Sequence, residues 1–321
     1  MRPFGRTTEG QVAKRAAIFL FATTVVLFQS SAFSSSFDEG RLQRVQALKD
    51  QMIPGEVPAY YSPGYKQRAR DLQKFIAGEL EFYQRHLHVR LTLSLAVLDK
   101  RQWPLAERQL PYSVPSVTGT PPVAMVAANW GQAPDFFPRE GEVDPAIVKS
   151  AVAHDVSWLE ASHRAMDIVG GHELGHTLVD AYGIAPGTHW LNEMLASYAL
   201  YAYVQADRPD LRWLWPVLKA VNRVNQPQRR TSLDEFEAQY MAILTKQPDN
   251  YGWYQAQFLN LVERVYAREG MGLFPKMHAA FPGGSYKRMA LGTPETLRRL
   301  DAVDSEFRLW ANEMTHKPRL H

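Results

Sequence analysis

Apolar and polar residues follow a helical spacing across residues 66–87, where Leu72, Ile76 and Leu80 share one side. A repeat of three to four residues predicts an amphipathic helix that packs one face against a core. We expect this helix to lie across the back of a small sheet. A similar spacing at residues 42–52 predicts a shorter helix before it.

Strand patterns are found in the first half of the chain. Residues 89–98, VRLTLSLAVL, alternate and then become fully apolar, which predicts the clearest strand. Residues 122–130, PVAMVAANW, predict a second strand, whose edge could hold an extended peptide. Pro and Gly crowd residues 54–63 and 111–122, so both segments predict loops. Residues 136–148 show no regular pattern.

From residue 161 onward the pattern is mainly helical. A Gly and a Pro after residue 182 indicate where the first of these helices stops. The helical segments are residues 161–181, 190–204, 250–266 and two short helices within 295–310. In the last segment, Phe307 and Trp310 are expected to pack into the core. A small sheet followed by a helical half predicts a single α+β domain.

Composition adds to these predictions chiefly at the N-terminus. The 321 residues are 45% hydrophobic and 21% charged, which is typical of a globular protein. Residues 1–32 begin with several basic side chains and continue into a short apolar run at 16–28. This order predicts a signal peptide and an exported protein, periplasmic or secreted, with an uncleaved membrane anchor as the alternative.

Charge and cysteine content exclude several kinds of partner and ligand. Residues 1–32 carry four basic residues and Glu9, so without them the formal net charge falls from +3 to zero. No basic stretch remains to indicate a nucleic-acid partner. A membrane contact is expected only if the N-terminal segment stays attached. With no cysteine, the chain has neither disulfides nor thiolate metal ligands.

The sequence HELGH carries the clearest chemical signal. His172 and His176 lie one helical turn apart on one face, close enough to bind the same tetrahedral metal. Glu173 stands beside the first histidine, where its carboxylate reaches a water on the metal rather than the metal itself. Glu193 follows in WLNE, at the start of the next predicted helix, and is the candidate third ligand. Three ligands leave one coordination position open, as a catalytic zinc requires.

A simpler interpretation of the same residues is a buried helix with two hydrogen-bonded histidines and an unrelated glutamate. A buried Glu193 beside two histidines would be costly without a cation to neutralise it, which favours the metal site. His189 lies too far after His176 to serve as the third ligand of a metzincin, and we expect it to begin a helix or to contact a ligand residue. Asp180, one turn after His176, is a candidate for orienting a ligand histidine.

HELGH followed by WLNEMLAS resembles the glutamate zincins, whose third ligand is a Glu in an Asn-Glu-x-x-Ala segment. The Trp-Leu-Asn-Glu string is similar to the aminopeptidase N family, and the small size is similar to compact peptidase MA-like proteins. The resemblance covers residues 161–204. It implies a zincin-like fold, with a small N-terminal mixed sheet and a mainly helical C-terminal half. It also implies Zn²⁺ on His172, His176 and Glu193, with Glu173 as the general base.

Two features depart from the aminopeptidase N pattern. That family carries a Glu on a Gly-x-Met-Glu-Asn strand, where it binds the amino terminus of the substrate. Residues 122–130 contain Asn129 but no acidic residue, which favours endopeptidase or oligopeptidase action. The family also uses a Tyr to stabilise the oxyanion, and the similar segment here is residues 250–266. Tyr251 and Tyr254 bracket the catalytic position, so either is a candidate and either could be a packing residue.

The sequence therefore predicts a signal peptide at 1–32, a linker with an N-terminal helix at 33–63, and a single catalytic domain at 64–316. The expected function is an exported zinc metallopeptidase that hydrolyses peptide or protein substrates. One alternative is a catalytically silent zincin-fold domain that binds or scaffolds. Another is a zinc amidase that acts on cell-wall peptides.

Overall fold

A computed structural model describes residues 40–48, 51–108, 110, 112–130, 137–223, 227–283 and 291–316. The predicted signal segment at 1–32 lies outside the described residues. Within the described part of the chain, no helix is both long enough and apolar enough to cross a membrane.

One five-stranded mixed sheet lies in the first half of the chain. Its strands are β1 Gln51–Ile53, β2 Ala59–Tyr61, β3 Ser94–Leu98, β4 Ser116–Thr118 and β5 Val123–Ala127. The spatial order is β1-β2-β3-β5-β4. The three central strands β2, β3 and β5 are parallel, and β1 and β4 are antiparallel strands at the two edges.

Helices make up most of the remaining described chain. Before and between the strands lie α1 Arg41–Ala47, α2 Lys66–Leu87 and α3 Trp103–Ala106. After the sheet come α4 Pro145–Ala153, α5 Trp158–Ala181, α6 His189–Asp207, α7 Leu214–Val221, α8 Leu233–Lys246, α9 Pro248–Glu269, α10 Leu273–Ala280, α11 Thr293–Leu300 and α12 Glu306–Thr315. The protein is therefore of the α+β class, as predicted.

Successive residues of β3 point to two different hydrophobic clusters, as the alternation of a strand requires. Leu95 and Val97 face the larger cluster, which the helical half of the protein shares. Ala96 and Leu98 face a smaller cluster that includes Trp103 of α3. Since both faces of the sheet are covered, its central strands are apolar throughout, which explains the continuous apolar run in the sequence.

Several predicted elements are confirmed. Helix α2 covers residues 66–87 as the apolar spacing predicted. Helices α5, α6 and α9 cover the three longer helical segments, and α11 and α12 are the two short C-terminal helices. Phe307 and Trp310 are buried. Strand β3 is shorter than predicted, because pairing begins only at Ser94.

Two segments that the sequence predicted as loops contain strands. Ala59–Tyr61 lies within residues 54–63, and Ser116–Thr118 lies within residues 111–122. Each strand has only three residues, too few for an alternating pattern to stand out among the surrounding Pro and Gly. The predicted linker at 33–63 therefore contributes β1 and β2 to the same sheet as the rest of the protein.

The edge of the sheet beside α5 also differs from the prediction, which placed an edge at residues 122–130. Strand β5 occupies that segment but pairs on both sides, with β3 and with β4. Among the described residues, β4 pairs only with β5, and it contacts α5. The edge strand on this side of the sheet is therefore Ser116–Thr118.

Two helix boundaries also require correction. The helix predicted at residues 42–52 ends at Ala47, and β1 follows it. Helix α4 begins within residues 136–148, which the sequence left without regular structure. The helix begins at this point because the Asp144 carboxylate accepts a hydrogen bond of 2.8 Å from the N–H of Ala146. A proline at the first helical position, which has no N–H to satisfy, assists this start.

Candidate metal centre

Three side chains from two helices converge on one point. His172 and His176 on α5 and Glu193 on α6 bring their ligand atoms within 4.8 Å of one another. Oε2 of Glu193 lies 3.3 Å from Nε2 of His172 and 3.9 Å from Nε2 of His176. The imidazole rings are nearly perpendicular, with centroids 4.8 Å apart. Both rings therefore direct one nitrogen toward the same carboxylate oxygen.

A glycine allows α5 and α6 to approach closely enough for this convergence. A Cβ added at Gly175 would lie 2.5 Å from the backbone oxygen of Ala196 and 2.8 Å from its Cα. Real side chains do not come so near to backbone atoms, so only glycine permits this helix spacing. At Gly170, an added Cβ would face Val126 and Ile76 rather than α6, and its nearest neighbour would lie at an ordinary 3.6 Å. Gly175 therefore faces the backbone of α6 directly.

The second nitrogen of each imidazole is also engaged. Nδ1 of His172 lies 3.0 Å from Oγ of the buried Ser197, and Nδ1 of His176 lies 3.0 Å from the carboxamide nitrogen of Asn192. The serine oxygen can accept a proton from Nδ1–H, and a half-turn of the carboxamide lets its oxygen do the same. Such contacts fix the orientation of both rings and leave Nε2 as the ligand atom.

Glu193 is surrounded by hydrogen-bond donors. Tyr240 donates to Oε1 over 2.7 Å, Gln255 donates to Oε2 over 2.8 Å, and Tyr251 donates to Oε2 over 3.2 Å. The residue is only 3% exposed, so an ionised carboxylate here depends on such donors. These contacts place Glu193 in a defined orientation within the group.

The electrostatics of the group favour an anionic Glu193. Burial alone would raise the pKa of this carboxyl, but the hydrogen bond from His172 and the charge of His176 hold the pKa well below its ordinary value. Burial raises the pKa of Glu173 to about 7, with the charge of Glu193 adding to the rise and that of His172 opposing it. Burial lowers the pKa of His172, but the bond to Glu193 and the charge of Glu173 outweigh it and raise the pKa. Negative charge is therefore concentrated beside the two imidazoles.

Glu173 differs from Glu193 in its surroundings. It is partly exposed on α5, next to the first histidine. None of the described residues donates a hydrogen bond to its carboxylate, whereas Glu193 has three side-chain donors besides the histidines. Its oxygens are therefore available to a small molecule such as water.

The structure separates the two candidate tyrosines. The hydroxyl of Tyr251 reaches Glu193, as described above. Tyr254 is fully buried, and its hydroxyl donates over 2.8 Å to the backbone oxygen of Ser232. Tyr251 thus belongs to the group of His172, His176 and Glu193, whereas the Tyr254 ring packs on Phe236.

Four residues around the ligands were not identified from the sequence. Asn192 and Ser197 lie within WLNEMLAS, and Ser197 stands one turn after Glu193, so helical spacing could have identified it. Gln255 stands one turn after Tyr251 on α9, which is the same kind of signal. Tyr240 lies on α8, and nothing in the sequence around it points to the HELGH motif.

His189 begins α6, as the sequence predicted. Its backbone N–H donates to Oε2 of Glu237 over 2.7 Å, and its ring stacks on Tyr240 with centroids 4.3 Å apart and planes only 2° from parallel. Helix α8 therefore holds the start of α6 through Glu237 and reaches the carboxylate of Glu193 through Tyr240.

The donor atoms of this group and their partners fit a metal ion. Two imidazole nitrogens and one carboxylate oxygen form a nitrogen and oxygen donor set, of the type that binds divalent transition metals. The remaining nitrogen of each imidazole has a side-chain partner, as metal-binding histidines have. His172, His176 and Glu193 can therefore hold a metal ion together.

Comparison of the chain with protein family models, with curated proteins and with solved structures finds no match.

Proposed function

We propose that this protein is a zinc-dependent metallopeptidase of the glutamate-zincin type. The observation that carries the proposal is the convergence of His172, His176 and Glu193, with Glu173 partly exposed beside them. A signal peptide at residues 1–32 would export the protein to the periplasm or the medium. The resemblance of HELGH and WLNEMLAS to the glutamate zincins supports the same reaction.

His172, His176 and Glu193 would hold the zinc ion, which suits two imidazoles and one carboxylate. When bound there, zinc supplies a Lewis acid and lowers the pKa of water in the site. Three protein ligands leave room for a substrate carbonyl or a water molecule at a fourth position.

Glu173 is the proposed general base. Its carboxylate lies next to the first ligand and receives no hydrogen bond from the described residues. It would accept a proton from the attacking water and then pass that proton to the nitrogen of the leaving amine. The same carboxylate can perform both transfers because the two events follow each other at one position.

Tyr251 is the proposed oxyanion donor. Its hydroxyl lies beside Oε2 of Glu193, at 3.2 Å, the longest of the three side-chain hydrogen bonds to that carboxylate. A small rotation of the phenol would turn the hydroxyl toward the carbonyl oxygen, which gains negative charge during attack. Tyr254 is not suited to this role because its hydroxyl binds the backbone of Ser232.

The edge strand β4 is the proposed binding surface for the peptide. It contacts α5, and among the described residues its outer side has no partner strand. An extended peptide can add to such an edge through backbone hydrogen bonds. Ser116–Thr118 contains no acidic residue to bind a free amino terminus, which favours cleavage within peptides.

The test is cleavage of a mixed peptide library and of purified cell-wall fragments by zinc-loaded residues 33–321. We expect wild type to cleave peptides and Glu173→Gln to lower turnover by about 10²-fold or more while zinc stays bound. Cleavage of the cell-wall fragments alone would identify a zinc amidase. No cleavage of either substrate by the zinc-loaded wild type would contradict the enzymatic proposal and favour a binding or scaffold domain.

A further inference from the structure

The two oxygens of the Glu193 carboxylate have different neighbours. Oε2 faces both imidazoles, at 3.3 Å from His172 and 3.9 Å from His176. Oε1 accepts a hydrogen bond of 2.7 Å from Tyr240 instead. One oxygen is thus directed toward the ligand point, and the other is held by a neutral donor from α8.

The hydroxyl of Tyr240 is held in place by its ring. The ring stacks on His189 with centroids 4.3 Å apart and also contacts Phe236 at a centroid distance of 5.4 Å. Tyr240 is buried, so its ring has little freedom to turn. His189 is itself fixed, because its N–H binds Glu237 one turn before Tyr240 on α8.

Gln255 contacts the other oxygen of the Glu193 carboxylate, Oε2. Its amide nitrogen donates to Oε2 over 2.8 Å from α9. An uncharged donor does not compete with a cation, and a carboxylate oxygen can accept a second interaction while it keeps this hydrogen bond. Tyr240 and Gln255 therefore contact Glu193 from two different helices.

We infer that Tyr240 and Gln255 are positioning residues for the third metal ligand, and that they hold Glu193 so that Oε2 alone faces the two imidazoles. This inference rests on the proposed zinc site. Without the hydrogen bond to Oε1, the carboxylate can rotate away from the orientation in which Oε2 faces both imidazoles. The site would then hold its third ligand less firmly. Side chains of α8 and α9 thus set the orientation of the Glu193 carboxylate on α6.

The experiment compares zinc affinity, measured by competition with a chelator, in wild type, Tyr240→Phe and Tyr254→Phe. Both variants lose one hydroxyl from a buried ring, but only the Tyr240 hydroxyl binds Glu193. We expect Tyr240→Phe to bind zinc about 10–100-fold more weakly, as is typical when a contact to a ligand is removed. Tyr254→Phe should bind zinc as wild type does.

Two further measurements separate positioning from folding. The melting temperature of the metal-free protein should fall in both variants, since each loses a hydrogen bond inside the protein. With Co²⁺ in place of zinc, the visible absorption should change in Tyr240→Phe and not in Tyr254→Phe, because only the first variant changes the orientation of the Glu193 carboxylate. If Tyr240→Phe does not fold, Gln255→Leu takes its place with the same expected loss of zinc affinity.

Equal zinc affinity in wild type, Tyr240→Phe and Gln255→Leu would overturn the inference. It would not contradict the proposed zinc site. Absence of zinc binding in wild type would instead contradict the proposed function. The two failures are therefore distinguishable.

Discussion

Two buried glutamates act electrostatically on His172, and they differ sharply in their surroundings. Glu193 has hydrogen-bond donors at both oxygens and two imidazoles nearby, and its pKa is held well below the ordinary value. Glu79 on α2 is also fully buried, but its described hydrogen-bond donor is Tyr83, which binds Oε1. Among the described residues, Oε2 of Glu79 has no partner.

The difference shows that burial alone does not suit a carboxylate to bind a metal. Burial raises the pKa of Glu79 to about 8, although the hydrogen bond from Tyr83 and the charge of His172 oppose the rise. At neutral pH Glu79 is therefore largely protonated, and Glu193 is ionised. What distinguishes them is the number of donors and cations that the fold places around each carboxylate.

The largest expected effect is on zinc-dependent stability. Zinc at about 1,000 times its dissociation constant should stabilise wild type by about 4 kcal/mol, because only the folded chain assembles the site. Glu193→Gln should abolish this stabilisation, and Glu79→Gln should keep it. Thermal unfolding with and without zinc measures both. Equal loss of the zinc-dependent stabilisation in the two variants would show that the two carboxylates do not differ in their contribution to zinc binding.

The next effect concerns the donors around Glu193. Tyr251→Phe should reduce turnover by about 10²-fold, since one oxyanion donor contributes roughly this much. Zinc content should stay close to that of wild type, because Tyr240 and Gln255 still hold the carboxylate. Steady-state kinetics on a cleaved peptide, with elemental analysis of the same sample, test this. A loss of zinc with unchanged turnover per bound zinc would make Tyr251 a positioning residue instead.

A smaller effect should follow from disturbing the helix spacing on each side of the ligands. Gly175→Ala forces a Cβ against the backbone of Ala196, and Gly171→Ala forces one to 2.5 Å from Oε2 of Glu79. We expect each to destabilise the protein by about 1–3 kcal/mol, as overpacking does. Gly170→Ala is the matched control, because its Cβ has room. Urea unfolding compares the three, and only Gly175→Ala should also weaken zinc binding.

The last effect, and the smallest when compared over a single pH unit, is the pH dependence that Glu79 contributes. Its pKa is about 8 in the folded protein and near 4.5 in the unfolded chain, so the folded state binds the proton more tightly. The free energy of unfolding should therefore fall as pH rises through this interval, by at most about 1.4 kcal/mol per pH unit. Urea unfolding between pH 5 and 8 should give a flatter profile for Glu79→Gln. A parallel profile would show that Glu79 does not titrate in this interval.

The sequence predicted those parts of the fold and the site that depend on local spacing. The 66–87 helix follows from one amphipathic repeat, and His172, Glu173 and His176 follow from a single helical turn. Glu193 was predictable because it lies near the start of the very next helix. In each case the residues that belong together are neighbours along the chain.

The parts that the sequence did not predict depend on contacts between distant segments. Tyr240 reaches Glu193 only because α8 packs on α6, and no local pattern encodes that contact. The sequence predicted a loop at β4 because three residues among prolines carry no alternating signal. Glu79 looks like an ordinary polar position in a helix until the neighbouring Gly171 brings α5 against it.

The most direct test of the metal site is the zinc content of residues 33–321 by elemental analysis, for wild type, Glu193→Ala and Glu173→Gln. The arrangement of His172, His176 and Glu193 predicts about one zinc per chain in wild type and in Glu173→Gln, and little or none in Glu193→Ala. Wild type without zinc after reconstitution, or zinc content independent of Glu193, would contradict the assignment of this group as a metal site.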